Sequence, residues 1–143
     1  MTEEMNLNDA YIEARMKQFK LVDMREQYHD LIEQAQEQAL SYKDFLISLL
    51  KAEETGKKLR QAERLTDAAN FDSLKRLSDI DYSFNPSLDP QKIQLLGKLE
   101  FLAACENIII IGPPGVGKSM IATGIGRNAC EAGYKVLFVN AKE

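Results

Sequence analysis

The 143-residue sequence predicts an α/β protein in which a helical N-terminal domain precedes a single βαβ unit. Three observations lead to this prediction. Apolar residues recur at helical spacing through residues 1–80, without an alternating strand pattern. Two short apolar runs, Ile108–Ile111 and Val136–Val139, have the composition of buried strands. A glycine-rich turn and a helical segment lie between these runs, which is the order of a βαβ unit.

The composition indicates a globular protein. Hydrophobic residues make up 45% and charged residues 28% of the chain, which excludes a fully disordered or low-complexity protein. The net charge of −4 argues against a generally basic nucleic-acid binder but permits a local basic patch. The densest apolar run has four residues and the N-terminus carries no targeting signal, so no membrane association is predicted. Cys105 and Cys130 lack zinc-site spacing, and we expect reduced thiols and a cytoplasmic location.

Three helices are predicted in the N-terminal domain. The first is expected to be capped by Asn8, and the second to open at a capping box formed by Asp23 and Glu26. The third is expected to open at a second box, Ser41 with Asp44. Their predicted apolar faces are Ile12, Met16 and Phe19; Met24, Tyr28, Leu31 and Ala35; and Phe45, Leu46, Leu49 and Leu50.

A linker and a fourth helix are predicted next. The third helix is expected to pass Gly56, which weakens it by roughly 1 kcal/mol relative to alanine, and to end near Ala69. Turn-forming residues then predict a linker at residues 76–90. Asp89 is expected to cap a helix with Pro90 at its first position, where the missing N–H has no cost. The predicted buried face of that helix is Ile93, Leu96, Leu99 and Leu102, and its predicted end is Asn107.

The turn after the first predicted strand carries the clearest chemical pattern. It reads Gly112-Pro113-Pro114-Gly115-Val116-Gly117-Lys118-Ser119 and matches G-x-x-x-x-G-K-[ST] at every fixed position. Glycines let backbone N–H groups converge on phosphate oxygens, and the start of the following helix adds its positive dipole end. We expect Lys118 to act as the catalytic lysine on the β- and γ-phosphates and the Ser119 hydroxyl to bind Mg²⁺. These eight residues and Met120 form the predicted cofactor site, although the loop does not encode which base is bound.

A helix and a second strand follow this loop. The helix is expected from about Lys118 to Glu131, with Gly133 as its stop signal.

Three other side chains have candidate roles. His29 is expected on a helix surface and Cys130 in a packed core, whereas Phe84 is expected either to contact a nucleotide base or to anchor the linker by burial.

The sequence resembles the IstB-like ATP-binding proteins. These are transposition helper ATPases related to DnaC-type helicase loaders in the AAA+ superfamily. The most specific matches are the Gly112–Ser119 loop, the linker segment Asp81–Asp89 and the run Ala129–Val136. A looser match lies at Tyr42–Glu54, and together the matches cover most of the chain.

The resemblance implies a domain organisation and a function. Residues 1–75 would form a domain that binds DNA or a protein partner, residues 76–90 a linker near the adenine, and residues 91–143 part of an AAA+ ATPase domain. ATP and Mg²⁺ would be the cofactors. The implied function is ATP-dependent DNA binding and the targeting of a partner transposase, with homo-oligomers formed by the full-length protein.

The resemblance also implies a DNA-binding cluster late in the helical domain. The matching residues are Lys57, Lys58, Arg60 and Arg64. Acidic residues are interleaved with them, so a second interpretation stays open. In that interpretation the segment is a solvated helix surface with the i,i+4 ion pairs Glu53–Lys57 and Glu54–Lys58.

The C-terminal part departs from the family pattern. No Asp follows Ser119, whereas a P-loop ATPase needs a later acidic residue to hold Mg²⁺. In the family's sheet, moreover, a third strand separates the two strands predicted here. We therefore expect the front portion of such an ATPase, apparently truncated, with slow or absent ATP hydrolysis. The alternatives are a DnaC-like loader that binds a replicative helicase and a truncated, non-hydrolysing relic, whereas a nucleotide kinase would normally open with its P-loop.

Overall fold

The computed structural model describes residues 7–141, and the described part of the chain is helical. Its elements, in chain order, are α1 (Leu7–Gln18), α2 (Val22–Glu37), α3 (Tyr42–Ala68), a 3₁₀ turn (Leu77–Asp79), α4 (Pro90–Gly97), α5 (Glu100–Ala103) and α6 (Lys118–Glu131). The chain divides after Leu59, within α3, into two compact units. The predicted domain boundary near residue 75 stays a prediction. Within residues 7–141, no helix combines the length and the apolar composition that a bilayer crossing requires.

The predicted βαβ unit is not formed in the part of the chain that the structure describes. Residues 108–111 and 136–139 flank α6, but neither segment is a strand. An extended segment becomes a strand only when its backbone groups pair with a neighbouring strand. The backbone N–H of Phe138 instead donates to the carbonyl of Ala69 at 2.8 Å. The composition of these runs was therefore insufficient to predict strands, because pairing depends on which segments are adjacent in space.

The two apolar runs are buried on one side only. Ile108, Ile110 and Val136 pack against the core of the second unit. The residues between and beside them face outward, with exposed fractions of 82% for Ile109, 91% for Ile111, 72% for Leu137 and 74% for Val139. This alternation has the period of two expected for extended chain, whereas the sequence predicted burial on both faces.

The core of the first unit contains Met24 and Tyr28, both on α2. This confirms the predicted apolar stripe of the second helix. Two predicted caps are wrong, however. Leu7 already belongs to α1, so Asn8 lies inside the helix, and α2 begins at Val22, so Asp23 occupies its second position rather than the cap.

The start of α2 is capped by a residue distant in sequence. The carboxylate oxygen Oε2 of Glu53 accepts hydrogen bonds from the backbone N–H groups of Asp23 and Met24, at 2.9 and 3.1 Å. Helix N-termini leave such N–H groups without an intrahelical partner, and a carboxylate there also interacts favourably with the helix dipole. Glu53 is only 4% exposed, which is rare for this residue type. The burial is compatible with its charge because the oxygen is hydrogen-bonded.

The predicted start of α3 is confirmed. Ser41 precedes the helix, and its hydroxyl accepts a hydrogen bond from the backbone N–H of Asp44 at 3.2 Å. The same hydroxyl donates to the Asp44 carboxylate at 2.6 Å. The helix continues to Ala68, one residue short of the predicted end.

The second unit packs around α6. Its main cluster of buried apolar residues comprises Ile80, Ile93, Leu99, Ile121, Ile125 and Ala129. Leu77, in the 3₁₀ turn, lies directly against α6, because a Cβ added to Gly124 would come within 2.6 Å of its Cδ2. Leu77 and Ile80, both in the predicted linker segment, therefore pack within this unit.

The helix predicted after the linker is interrupted. Asp89 caps α4 as predicted, and its carboxylate accepts the backbone N–H groups of Gln91 and Lys92 at 2.9 and 3.4 Å. The chain then turns at Leu99, whose φ of +64° is left-handed, before the short α5 begins. This turn buries Leu99 to 9% exposure. The helix therefore does not run to Asn107, and the burial of this leucine outweighs the cost of its backbone conformation.

The C-terminus of α6 is confirmed at the predicted stop. Gly133 has a φ of +91°, and its backbone N–H donates to Cys130 O. The next N–H, of Tyr134, donates to Ala129 O at 2.9 Å. These two bonds form a Schellman motif, which satisfies carbonyls at the end of the helix.

Candidate phosphate-binding site

The predicted phosphate loop connects the Ile108–Ile111 segment to the first residue of α6. Gly115 and Gly117 have φ values of +79° and +96°, in the region that residues with a side chain rarely adopt. A Cβ added at either position would meet nothing within 4 Å. The loop therefore requires glycine there for its backbone conformation, while the space beside it is open to a ligand.

Lys118 lies at the start of α6 and folds back over the loop. Its ammonium donates to the carbonyl of Pro113 at 2.7 Å and to that of Gly112. The cation is thus held by neutral carbonyl oxygens of the loop itself. A phosphate oxygen carries more negative charge and makes a stronger charge-assisted hydrogen bond with an ammonium. This donor set fits a phosphate group.

Ser119 and Met120 complete the first turn of α6. Ser119 is exposed, so its hydroxyl is accessible to a metal ion that phosphate oxygens also bind. Within residues 7–141, no group of three or more His, Cys, Asp or Glu side chains is arranged to hold a metal ion. Contact of Ser119 with Mg²⁺ stays a prediction.

A cavity of about 360 Å³ lies beside the loop. Its lining residues come from two segments of the chain: Gly115, Val116, Gly117, Met120 and Ile121 from the loop and α6, and Lys75, Asp79, Ile80, Asp81, Phe84, Asn85 and Leu88 from the segment before α4. Four of the predicted site residues, Gly115, Val116, Gly117 and Met120, thus line the same cavity as part of the predicted linker. This is the size and shape typical of a small-molecule pocket.

Phe84 does not anchor the linker by burial. It is 79% exposed while it lines the cavity, whereas the neighbouring Ile80 is 8% exposed and holds the linker to the core. The second of the two predicted roles for Phe84 is therefore wrong. Its aromatic ring is available to a planar ligand.

Asp81 adds a negative charge to the same wall of the cavity. Hydrogen bonds from the hydroxyl and the backbone N–H of Ser83 hold the pKa of the Asp81 carboxyl below its ordinary value. The carboxylate is therefore ionised at neutral pH and can accept hydrogen bonds from N–H or amino groups.

Asn85 joins the linker to the phosphate loop. Its side-chain Nδ2 donates to the backbone carbonyl of Val116 at 3.3 Å, and its Oδ1 accepts the backbone N–H of Ser87 at 3.2 Å. From the sequence, Asn85 is predicted only as one of the turn-forming residues of the linker. The available signal for a role of Asn85 was its position before a proline in a segment similar to a known linker. This signal does not identify its hydrogen-bond partner, Val116, which lies 31 positions away in the chain.

The four predicted DNA-contacting residues all lie on α3. Lys57 and Lys58 lie 3.8 and 2.7 Å from carboxylate oxygens of Glu53 and Glu54. Both i,i+4 ion pairs of the alternative interpretation are therefore present. The structure does not test DNA contact by Lys57, Lys58, Arg60 or Arg64.

His29 and Cys130 have the environments predicted from the sequence. His29 is exposed on α2, with its ring against Tyr28. Cys130 is fully buried on α6, and this burial raises the pKa of its thiol. Cys105 is an exposed free thiol. None of the three lines the cavity beside the loop.

The chain is similar to proteins of one described family. The sequence profile of the family described as IstB-like ATP binding protein matches residues 14–143. A protein from Pseudomonas aeruginosa, named as an ATP-binding protein of insertion sequence IS21, is 34% identical over 128 residues, which are 90% of this chain and 48% of that relative.

Two further relatives have similar names. One, from insertion sequence IS5376 of Geobacillus stearothermophilus, is 35% identical over 84% of this chain and 48% of its own length. The other, from insertion sequence IS232 of Bacillus thuringiensis, is 27% identical over 91% of this chain and 52% of its own length. The chain thus spans about half the length of the curated relatives it matches.

Proposed function

The chain belongs to the family of IstB-like ATP binding proteins, and we propose that it binds ATP with Mg²⁺ at the Gly112–Ser119 loop in the transposition of an insertion sequence. The observation that carries this proposal is the arrangement of Lys118 over a glycine loop at the start of α6. Relatives named as ATP-binding proteins of insertion sequences support both parts of it.

In this proposal the loop and Lys118 bind the phosphates. Lys118 exchanges the carbonyls of Gly112 and Pro113 for phosphate oxygens, while backbone N–H groups of the loop point at the same oxygens. Ser119 would hold Mg²⁺, which neutralises phosphate charge when bound. Lys118 is the catalytic residue of the proposal, because it would contact the transferred phosphoryl group.

Lys118→Ala tests phosphate binding, with Lys92→Ala as the matched control. Lys92 is exposed on α4 and does not line the cavity. Loss of a charged hydrogen-bonding partner typically costs about 2–5 kcal/mol, so we expect ATP affinity to fall at least about tenfold in Lys118→Ala. Calorimetric titration with Mg-ATP measures both variants. Equal affinity of the two variants would contradict the proposal.

The cavity beside the loop supports a position for the adenine. Phe84 offers a ring face, and base–aromatic stacking contributes about 1–3 kcal/mol. We therefore expect Phe84→Ala to weaken ATP binding roughly five- to a hundredfold but to leave the affinity for inorganic tripolyphosphate within about twofold. Equal losses for both ligands would place the base elsewhere.

Binding of DNA, transposase targeting and homo-oligomer assembly belong to the same proposal. Relatives named as insertion-sequence proteins support a role in transposition, and the exposed basic residues of α3 supply charge for phosphate contacts. The logarithm of DNA affinity falls linearly with the logarithm of the salt concentration, and each neutralised DNA phosphate makes this slope steeper by about 0.9. The triple variant Lys57→Ala, Lys58→Ala, Arg60→Ala should therefore flatten that slope by about two to three. An unchanged slope in a gel-shift titration would remove these residues from the DNA contact.

A helicase-loader function is the second candidate, favoured by one observation. Tyr42, Leu46 and Leu50 occur four residues apart on α3 and are 96%, 55% and 55% exposed. Such an apolar stripe suits a protein partner better than a DNA backbone. A pull-down with purified replicative helicase, compared between the wild type and Leu46→Ser with Leu50→Ser, distinguishes the two functions. The loader function would be favoured if the double variant no longer bound the helicase and the wild type did not bind DNA.

A further inference from the structure

Asn85 has a defined orientation in the linker. Its Oδ1 accepts hydrogen bonds from the backbone N–H and the hydroxyl of Ser87, at 3.2 and 2.5 Å. A backbone N–H can only donate, so the atom that it contacts must be the amide oxygen. The other end of the side chain is therefore the NH₂ group, and this group donates to the carbonyl of Val116 at 3.3 Å.

The carbonyl that Asn85 contacts belongs to the peptide group between Val116 and Gly117. A trans peptide is planar, and its C=O and N–H bonds point in opposite directions. A hydrogen bond to Val116 O therefore directs the N–H of Gly117 away from the linker. This N–H immediately precedes Lys118, in the part of the loop where the motif places its phosphate-binding donors.

This peptide group needs an external restraint. Gly115 and Gly117 adopt positive φ values, and glycine populates positive and negative φ about equally. No side chain at Gly117 resists a peptide rotation, and a Cβ there would have nothing within 4 Å to contact. The sequence of the loop alone thus permits both orientations of the Gly117 N–H.

We infer that Asn85 is a positioning residue for the phosphate loop: its side-chain amide holds the Val116–Gly117 peptide so that the Gly117 N–H faces bound phosphate. The inference rests on the proposed binding of a nucleoside triphosphate at this loop. In this inference Asn85 acts on the phosphates through the peptide rather than by contacting them directly. Its effect should therefore appear on the phosphate part of the ligand, in contrast to that of Phe84.

Asn85→Asp tests this inference in the full 143-residue chain. The carboxylate keeps the acceptor for Ser87 but cannot donate to Val116 O, and it places negative charge beside that carbonyl. We expect the affinity for inorganic tripolyphosphate and for ATP to fall by the same factor, roughly five- to tenfold, as for the loss of one hydrogen bond. Ser87→Ala is the matched control, because it removes a partner of Oδ1 and retains the donor to Val116. Its affinity should stay within about twofold of the wild type.

The amide resonance of Gly117 provides a readout that a merely structural role would not change. In the wild type, tripolyphosphate should shift this resonance, and in Asn85→Asp and Asn85→Ala the shift should be lost or strongly reduced. Thermal unfolding of each variant identifies a variant that has failed to fold, and Asn85→Ala then replaces Asn85→Asp in the comparison. Affinities within twofold of the wild type in the folded variants, or an equal loss in Ser87→Ala, would overturn the inference.

The same titrations separate this inference from the proposed function. A wild-type chain that binds neither ATP nor tripolyphosphate would overturn both. A wild-type chain that binds both ligands, loses binding in Lys118→Ala and is unaffected by Asn85→Asp would overturn the role of Asn85 alone.

Discussion

The carboxylate of Glu53 accepts the backbone N–H of Met24 at 3.1 Å, and this bond joins the middle of α3 to the start of α2. The contact replaces a local N-cap, because Leu21 at the cap position makes no side-chain hydrogen bond. The two residues lie 29 positions apart. A tertiary contact therefore supplies what helix starts usually obtain from the adjacent residue.

Removal of this carboxylate should destabilise the chain. Glu53→Ala leaves the buried N–H of Met24 and the partly buried N–H of Asp23 without this acceptor, and we expect the free energy of unfolding to fall by about 1–3 kcal/mol. Urea denaturation followed by circular dichroism measures this change. Glu54→Ala is the control, since Glu54 forms an exposed ion pair with Lys58 and its loss should change the free energy of unfolding much less. Equal losses in the two variants would contradict the capping role of Glu53.

Gly56→Ala should also destabilise the chain, although alanine is the better helix former. A Cβ at this position would lie 1.9 Å from the carboxylate carbon of Asp23, so one of the two groups must move. We expect a loss of about 1–3 kcal/mol instead of the gain of about 1 kcal/mol that helix propensity predicts. The same substitution in an Asp23→Ala background should cost less or become favourable. An identical cost in both backgrounds, measured by urea denaturation, would contradict this steric explanation.

The stability of variants at Gly117 should follow how readily the substituted residue adopts a positive φ. Gly117→Ala should reduce the stability of the ligand-free chain by about 1–2 kcal/mol, because its φ of +96° is strained for a residue with a side chain. Gly117→Asn should cost less, since asparagine adopts positive φ more readily. The space around the position is open, so steric overlap does not contribute. Thermal unfolding measures the order, and a larger loss for asparagine than for alanine would contradict it.

The two cysteines should differ in reactivity towards iodoacetamide. Cys105 is exposed, whereas Cys130 is buried and has a raised thiol pKa. A raised pKa leaves less of the reactive thiolate at a given pH, and burial restricts access of the reagent. Both effects therefore slow the labelling of Cys130. At pH 8 we expect one equivalent of label on the native chain, at Cys105, and a second only in denaturant. Native labelling of Cys105→Ser at the wild-type rate would contradict the prediction.

Structural features carried by a few consecutive residues were predictable from the sequence. The start of α3 at Ser41 with Asp44, the cap of α4 at Asp89 and the stop of α6 at Gly133 are confirmed. Each depends on hydrogen bonds between residues at most a few positions apart. Such patterns predict structure because the donor and the acceptor of each hydrogen bond lie in the same short segment, whatever the rest of the chain does.

Features that depend on distant partners were not predictable. The acidic residue at Asp23 matched a capping pattern, but Glu53 supplies the acceptor for α2. The Ile108–Ile111 run had the composition of a strand, but it lacks a neighbouring strand within the described residues. Leu99 had helical spacing, but its burial required a left-handed turn.

The sequence by itself determined which turn is the candidate phosphate loop, because eight consecutive residues contain its whole pattern of glycines, lysine and serine. Only the tertiary structure decided what faces that loop. It brought Phe84 and Asp81 to the cavity that Gly115, Val116 and Gly117 also line, and it placed the amide of Asn85 on the carbonyl of Val116. The physical reason is that a phosphate-binding turn is formed by local backbone conformation, whereas a pocket needs a second wall. That wall is positioned by the packing of Ile80 and Leu77 against α6, which no local pattern encodes.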